Sequence, residues 1–266
     1  MKLSIVILSF VSLIIFQTPE LKITKTNLEK SGLAPALYKD GIIFSAFESD
    51  NSNYVSLYYS KILDKEQLDK PVLISLKNRD KYMNLSHLTY IAASDEIYFT
   101  ANNSKGALVL YQAKMEDMEI IKPKQVKLSE INNAAYPTVS ENGLQLIVSS
   151  KTSDNNVNLF LYTRSDIESN WEFKRALSEL NSTDYELHPR LMNDTTLYFS
   201  RSNTQTGKLK LFVSNLNDNV WSNPILYQPL NGEASDFSIV FTTEKSGYFT
   251  SNRDGEDHIY YFENEL

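Results

Sequence analysis

The sequence predicts an all-β fold, a five-bladed β-propeller of four-stranded antiparallel blades, because two different markers recur along it with one period of about fifty residues. The first marker is an aromatic strand, whose central positions lie 55, 49, 51 and 50 residues apart: Phe44, Phe99, Val148, Phe199 and Phe249. The second is an asparagine after a short apolar segment, at spacings of 51, 54, 49 and 50 residues: Asn27, Asn78, Asn132, Asn181 and Asn231. Two markers with the same period indicate one repeated structural unit.

Each repeat is predicted to contain four short extended segments. The first segment opens beside an apolar residue or a proline, in the sequences APALY, HLTYIA, YPTVS, HPRLM and DFSIVF. A turn then leads to the aromatic strand, at Asp40-Gly41, Ser94-Asp95, Asn142-Gly143, Asn193-Asp194 and Lys245-Ser246. Asp-Gly and Asn-Gly between apolar runs are strong hairpin signals, so the first two segments of each repeat are predicted to pair.

The third segment follows a polar loop and reads VSLYYS, ALVLYQA, NLFLYTR, LKLFVSN or HIYYFE, and the fourth is predicted to end at the recurring asparagine. Tyrosine and phenylalanine are adjacent in several aromatic strands, as in Tyr248-Phe249. Successive side chains of a strand point to opposite faces, so both rings are buried only if both faces are covered. Stacked propeller blades provide that arrangement.

The repeats also predict a ring that the N-terminal strand closes. The fifth repeat reaches Leu266 without a fourth segment, whereas LKITKTN at residues 21–27 has the features of an isolated fourth segment. Pairing this segment with the fifth repeat would remove unpaired sheet edges. A fragment of a six- or seven-bladed ring, or an open array, is the alternative.

Composition narrows the class of protein. The 266 residues carry a net charge of −7, which argues against nucleic acid as a partner because a phosphate backbone requires a basic face. The chain contains no cysteine, which excludes disulfides and cysteine zinc sites. Residues 20–266 are expected to form one domain, which acts as a monomer without a cofactor.

The first residues predict export. An apolar run from Leu3 to Phe16 follows a single lysine, which is typical of a secretory signal peptide over residues 1–19. The run is too short to cross a hydrocarbon core of about 30 Å comfortably as a helix, and an uncleaved anchor is the alternative. The mature chain is expected in the periplasm or outside the cell, without a transmembrane span.

The last repeat resembles the WD-like propeller repeats of the TolB type. The matching residues are YFTSNRDG at 248–255 and DHIY at 257–260, and WSNPILYQPLNG at 221–232 is similar to the linker of that family. The resemblance covers most of the chain after residue 20 but is close only in the last repeat, where Glu256 replaces the second glycine of the usual loop. It implies a bacterial envelope propeller that binds a protein or another macromolecule.

These observations favour a non-catalytic binding module that contacts a protein or another envelope component through its loop face or central funnel. The chain has no nucleophile elbow and no phosphate-binding glycine loop, so no enzymatic activity is expected. The alternative is a furanosidase-like glycoside hydrolase with carboxylates in the funnel, because five-bladed rings host such enzymes.

Candidate binding residues come from the start of the first segment in four repeats. His87 and His188 occupy matching positions, and Tyr136 and Asp236 are aligned with them. Residues at this point of a propeller blade line the funnel, so these four are the expected ligand rim. The alternative is that they are polar strand ends bonded to neighbouring blades. Two histidines without a fixed spacing do not predict a metal site.

Overall fold

The computed structural model describes residues 20–49, 52 and 54–265. The predicted signal peptide, residues 1–19, lies outside the described residues. In the described part the fold is all-β, as the repeats predict, and its helical content is one 3₁₀ turn at Arg79–Lys81. Within these residues, no helix is long and apolar enough to cross a membrane.

The strands fall into five successive groups, preceded by the N-terminal strand β1 (Glu20–Lys25). The first group contains β2 (Leu33–Tyr38), β3 (Gly41–Phe47), β4 (Val55–Asp64), β5 (Gln67–Leu68) and β6 (Val72–Leu73). After the short strand β7 (Ser75–Leu76), the second group contains β8 (Met83–Ile91), β9 (Glu96–Asn102), β10 (Leu108–Glu116) and β11 (Glu119–Gln125).

The last three groups repeat this order. The third contains β12 (Ala135–Val139), β13 (Gln145–Lys151), β14 (Val157–Thr163) and β15 (Glu172–Ala176). The fourth contains β16 (Tyr185–Asn193), β17 (Thr196–Ser202), β18 (Leu209–Asn217), β19 (Val220–Trp221) and β20 (Ile225–Leu226). The fifth contains β21 (Asp236–Thr243), β22 (Ser246–Ser251) and β23 (His258–Glu265).

Strand pairing is antiparallel within each group, and β1 supplies the fourth strand of the last one. β1 pairs with β23 over its whole length, from Glu20 opposite Glu265 to Lys25 opposite Tyr260. The sheets of the third and fourth groups are joined by a single parallel bridge between Val157 and Tyr185. Each first strand also packs against the first strand of the next group, and β21 packs against β2.

The hydrophobic core lies between neighbouring groups. Tyr98 and Phe99 are adjacent and fully buried, but Tyr98 packs towards the third group and Phe99 packs towards the first. Tyr248 and Phe249 divide in the same way between the first and the fourth group. Because burying one phenylalanine side chain contributes about 1.5–3 kcal/mol, covering both strand faces stabilises each interface, as the sequence predicts.

The recurring asparagines do not end the fourth strands, which is a correction of the sequence prediction. β15 ends at Ala176, yet Asn181 lies further along and accepts a hydrogen bond from Leu159 N at 2.7 Å while its amide donates to Leu159 O at 3.2 Å. Asn231 makes the same two contacts with Leu211, at 2.9 and 2.8 Å. A side-chain amide presents one donor and one acceptor, so it continues the strand pairing after the backbone has turned away.

Candidate ligand-binding site

Each first strand contains a bulge that turns one residue towards the centre of the molecule. At this point the pairing with the second strand shifts register, and the extra residue has a positive φ. The five equivalent residues have φ values of 55, 49, 54, 50 and 56°: Ala34, His87, Tyr136, His188 and Ser238. A positive φ is uncommon outside glycine, so its recurrence in all five groups marks a shared structural requirement.

In three of the groups, the backbone N–H of the bulge residue donates a hydrogen bond to a hydroxyl on the second strand of a neighbouring group. Ala34 N donates to Thr250 Oγ1 at 3.0 Å, and His87 N donates to Ser45 Oγ at 3.3 Å. Ser238 N likewise donates to Ser200 Oγ at 3.2 Å. Sequence reasoning missed these hydroxyls, although a small buried hydroxyl residue follows the aromatic position in every repeat: Ser45, Thr100, Ser149, Ser200 and Thr250.

Three bulge residues pack their rings together and fill the centre. The ring centroids of His87 and Tyr136 are 4.3 Å apart, those of His87 and His188 are 5.0 Å apart, and those of Tyr136 and His188 are 4.5 Å apart. We call these three residues the central plug. The cavity beside the plug, which Ala34 and Ser238 also line, has a volume of about 30 Å³. On this measure one water molecule needs about 10–15 Å³, so the cavity has room for about two waters and is too small for an organic ligand.

The plug is uncharged at neutral pH. Burial lowers the pKa of His87 to about 3. Burial also lowers the pKa of His188 well below its ordinary value, and the nearby His87 lowers it further. Burial raises the pKa of Tyr136. Among the described residues, His188 Nδ1 has no hydrogen-bond partner, so the plug is held by ring packing rather than by a polar network.

Asp236 does not belong with the other three predicted rim residues. The bulge position of its strand is Ser238, two residues further on, because the register shift falls after Phe237. Asp236 is fully buried, and its carboxylate accepts hydrogen bonds from Arg253 Nη2 at 2.8 Å, Ser251 Oγ at 2.6 Å and Gly232 N at 2.7 Å. These contacts tie β21 to β22 and to the preceding loop, which is a structural role.

A larger cavity opens on the side of the plug where the hairpins between first and second strands lie. Its volume is about 610 Å³, which is within the range of about 300–1,000 Å³ typical of small-molecule sites. We call it the mouth pocket and define it by six of its lining residues: Lys39, Tyr90, Glu141, Arg190, Asn193 and Phe241. It combines two cationic groups, one carboxylate, one amide and two aromatic rings.

Arg190 connects the mouth pocket with the central cavity, since its side chain lines both. Burial lowers the pKa of Arg190 to about 10, and the charge of Glu141 partly opposes this shift. The equivalent positions of the other first strands carry short uncharged residues, namely Ala36, Thr89, Thr138 and Val240. Sequence reasoning missed Arg190, although this departure from the repeat is visible once the first strands are aligned.

Carboxylates are scarce at this site. Asp40 and Asp95, in the hairpin turns, accept hydrogen bonds from the hydroxyls of Tyr59 and Tyr90 at 2.6 and 3.0 Å. Glu141 is the carboxylate that lines the mouth pocket, and within the described residues no second one lines it or the central cavity. Glycoside hydrolysis commonly uses two carboxyl groups about 5–9.5 Å apart, and one of the two is missing from this lining.

Comparison with known proteins identifies the fold. No family model matches the chain, and no curated protein matches it. A solved TolB structure from Acinetobacter baumannii is 14% identical with a TM-score of 0.52; the match covers 89% of this chain but only 56% of the TolB chain. An endo-arabinase from Bacteroides thetaiotaomicron VPI-5482 is 11% identical with a TM-score of 0.61, covering 93% and 98% of the two chains.

A third similar structure is the catalytic domain of an α-L-arabinofuranosidase from Coprinopsis cinerea, which is 10% identical with a TM-score of 0.56 and covers 93% and 96% of the two chains. At these identities the likeness shows the fold alone. This fold is an all-β propeller, and it is shared by TolB structures and by glycoside hydrolases, so the TolB-type resemblance is not specific.

The expectation that the chain has no enzymatic activity is contradicted by these comparisons. Glycoside hydrolases with the same fold match nearly the full length of this chain, so the fold is compatible with catalysis as well as with binding. The expectation relied on the absence of two short motifs. Glycoside hydrolysis commonly depends on two carboxyl groups that are close in space and need not be close in sequence, so the absence of short linear motifs does not exclude it.

Proposed function

We propose that this chain is an exported, monomeric propeller of five blades in a closed ring, and that it binds a saccharide of the cell envelope in the mouth pocket. Three contacts support closure: β1 pairs with β23, β21 packs against β2, and Ala34 N donates to Thr250 Oγ1. An experimental structure in which β2 and β21 are apart would contradict the closed ring.

The mouth pocket is the observation that carries the binding function. The cavity beside the central plug is too small for an organic ligand, so we place the ligand in the larger mouth pocket. This pocket offers ring surface from Tyr90 and Phe241 beside the polar groups of Asn193 and Glu141. A largely preformed cavity with apolar walls and a few polar groups is the usual form of a small-molecule site.

A saccharide fits this lining because a sugar ring presents both apolar C–H faces and hydroxyl groups. Phe241 and Tyr90 are partly exposed, so their rings are available to such a face. The amide of Asn193 and the carboxylate of Glu141 are suited to the hydroxyls, which both donate and accept hydrogen bonds. The propeller structures named for arabinose-containing substrates support the same class of ligand by analogy of fold.

Hydrolysis of a glycosidic bond in the same pocket is the second candidate function. The observation that favours it is Glu141, a carboxylate that lines a pocket of suitable volume in a fold shared with glycoside hydrolases. Its second acid would have to come from the substrate or from a hairpin acid such as Asp194, because the described lining offers no other carboxylate.

The test measures binding and hydrolysis on one set of oligosaccharides, neutral and acidic, with wild type and a variant whose pocket is filled. Ala93 lines the pocket and is exposed, so Ala93→Trp should fill the pocket without altering a charge. We expect this variant to bind at least about ten-fold more weakly, a loss of about 1.4 kcal/mol. Release of reducing ends, measured with wild type and Glu141→Gln, separates hydrolysis from binding.

Ser104→Trp is the matched control, because Ser104 is exposed in the loop between β9 and β10, away from the mouth pocket. This variant should bind the same oligosaccharides as wild type does. Absence of binding to every member of the set, or equal binding by wild type and Ala93→Trp, would contradict the proposed function.

A further inference from the structure

The guanidinium of Arg190 is the unusual group of the mouth pocket. Within residues 20–49, 52 and 54–265, Arg190 makes no side-chain hydrogen bond and no ion pair, although five N–H donors are available. It is partly buried, and burial disfavours its charged form, as the lowered pKa shows. The Arg190 guanidinium therefore lacks a hydrogen-bond acceptor in the described part of the chain, whereas Arg201 and Arg253 each have a buried carboxylate as acceptor.

The charges of the residues around the pocket indicate the charge of the ligand that would suit it. Lys39 and Arg190 are cationic and Glu141 is anionic, so the lining has an excess of one positive charge. Glu141 acts on Arg190 through space, but the two do not form an ion pair. A ligand with one negative charge would neutralise the pocket, whereas a phosphate monoester with about two charges would reverse its sign.

We propose that Arg190 binds the carboxylate of an acidic saccharide, so that the ligand of the mouth pocket contains a uronic acid residue. This inference rests on the proposed saccharide-binding function and specifies its ligand class. The planar guanidinium matches a carboxylate with two parallel N–H···O bonds, and charged hydrogen bonds of this kind are the strongest in proteins. The sugar ring that carries the carboxylate would lie between Tyr90 and Phe241 at the wall of the pocket.

Peptides are a less suitable source of the carboxylate. Recurring modes of peptide recognition use a free sheet edge, a hydrophobic groove, a cluster of arginines or a nest of backbone N–H groups. The first strands β2, β8, β12 and β21 are end strands of their sheets, but each packs against the first strands of both neighbouring groups, so an extended peptide has no space to add beside them. Among the described residues that line the pocket, Arg190 is also the single arginine.

The experiment compares an aldobiouronic acid, a disaccharide with a single uronic acid residue, with its methyl ester, which has the same sugar rings but no negative charge. Binding is measured by isothermal titration calorimetry at neutral pH and low salt. Wild type should bind the acid at least about ten-fold more tightly than the ester, which corresponds to about 1.4 kcal/mol. Arg190→Met should remove this preference, because it should weaken binding of the acid by a much larger factor than binding of the ester. Raising the salt concentration should weaken binding of the acid more than binding of the ester.

Two controls keep the outcome interpretable. Arg175→Met removes an arginine from the outer strand β15, where it pairs with Glu179, and should leave the preference intact. Arg190→Gln is the second variant at the site, in case Arg190→Met fails to fold, and it should give the same loss of preference. Unfolding by urea verifies that each variant is folded before titration.

The outcomes separate this inference from the function on which it rests. Equal binding of acid and ester by wild type would overturn the role of Arg190 and leave saccharide binding standing. An unchanged preference in Arg190→Met would overturn it as well. Tight binding of a peptide with a free C-terminal carboxylate, without binding of either saccharide, would overturn both proposals.

Discussion

Two kinds of arginine occur in this molecule, and they differ in what surrounds them. Arg201 contacts Glu186 at 2.8 Å, and Arg253 contacts Asp236 at 2.8 Å; both carboxylates are fully buried. Arg190, at the centre, contacts no carboxylate among the described residues. The difference separates cations that stabilise strand pairing from one without a protein partner among the described residues, which is the cation that we propose binds the ligand.

The paired arginines explain why their carboxylates tolerate burial. Burial raises the pKa of Glu186, but the charge of Arg201 and hydrogen bonds from Ser182 oppose this effect. Arg201 also lies over the Phe212 ring, with 4.6 Å between its guanidinium carbon and the ring centroid, and Arg253 lies 5.0 Å from the centroid of Phe249. Each of these arginines therefore combines an ion pair with a ring contact inside one group of strands.

The largest expected effect comes from breaking one of these pairs. Asp236→Ala should lower the free energy of unfolding by about 3–5 kcal/mol, because the Arg253 cation and Gly232 N lose a buried acceptor. Urea unfolding measures the change. The control is Asp194→Ala in an exposed hairpin turn, where we expect less than about 0.5 kcal/mol. Equal losses in the two variants would show that the buried pair has no special role.

An intermediate effect is expected when the plug beside Arg190 gains charge. The pKa of His87 is about 3 in the folded protein, against an ordinary value of 6.5, so the unfolded chain binds more protons between these values. The stability that comes from keeping His87 neutral in the folded protein is therefore fully present above pH 6.5 and is lost as the pH falls towards 3. The loss should be about 1.4 kcal/mol per pH unit in this window.

His87→Gln should make the stability less dependent on pH in that window, because it removes one of the groups that take up protons on unfolding. Urea unfolding between pH 7.5 and pH 4 measures the slope for wild type and variant. An equal slope in both proteins would mean that folding does not lower the pKa of His87.

The smallest effect is expected at the unpaired arginine itself. Arg190→Met should change the free energy of unfolding by less than about 1 kcal/mol at neutral pH, because no buried acceptor is left behind. Arg201→Met, the matched change at a paired arginine, should cost about 3 kcal/mol, since Glu186 then loses its cation. A similar large loss in both variants would place Arg190 among the structural arginines and argue against a ligand role.

The sequence by itself determined the repeat, the hairpin turns and the burial of adjacent aromatic residues, because these follow from local periodicity and from side chains that alternate along a strand. It also placed residues 21–27 beside the fifth repeat, where the structure pairs β1 with β23. His87, Tyr136 and His188 were aligned from matching sequence positions, and the structure brings their rings together.

Only the tertiary structure decided which residues share the centre. A bulge adds one residue to each first strand, and a shift of this kind changes the direction of the side chains that follow. Asp236 was aligned without that shift, whereas the bulge residue is Ser238. Arg190 was overlooked for a related reason: whether a guanidinium has a partner depends on residues from other strands, and no local pattern in the sequence records their distance.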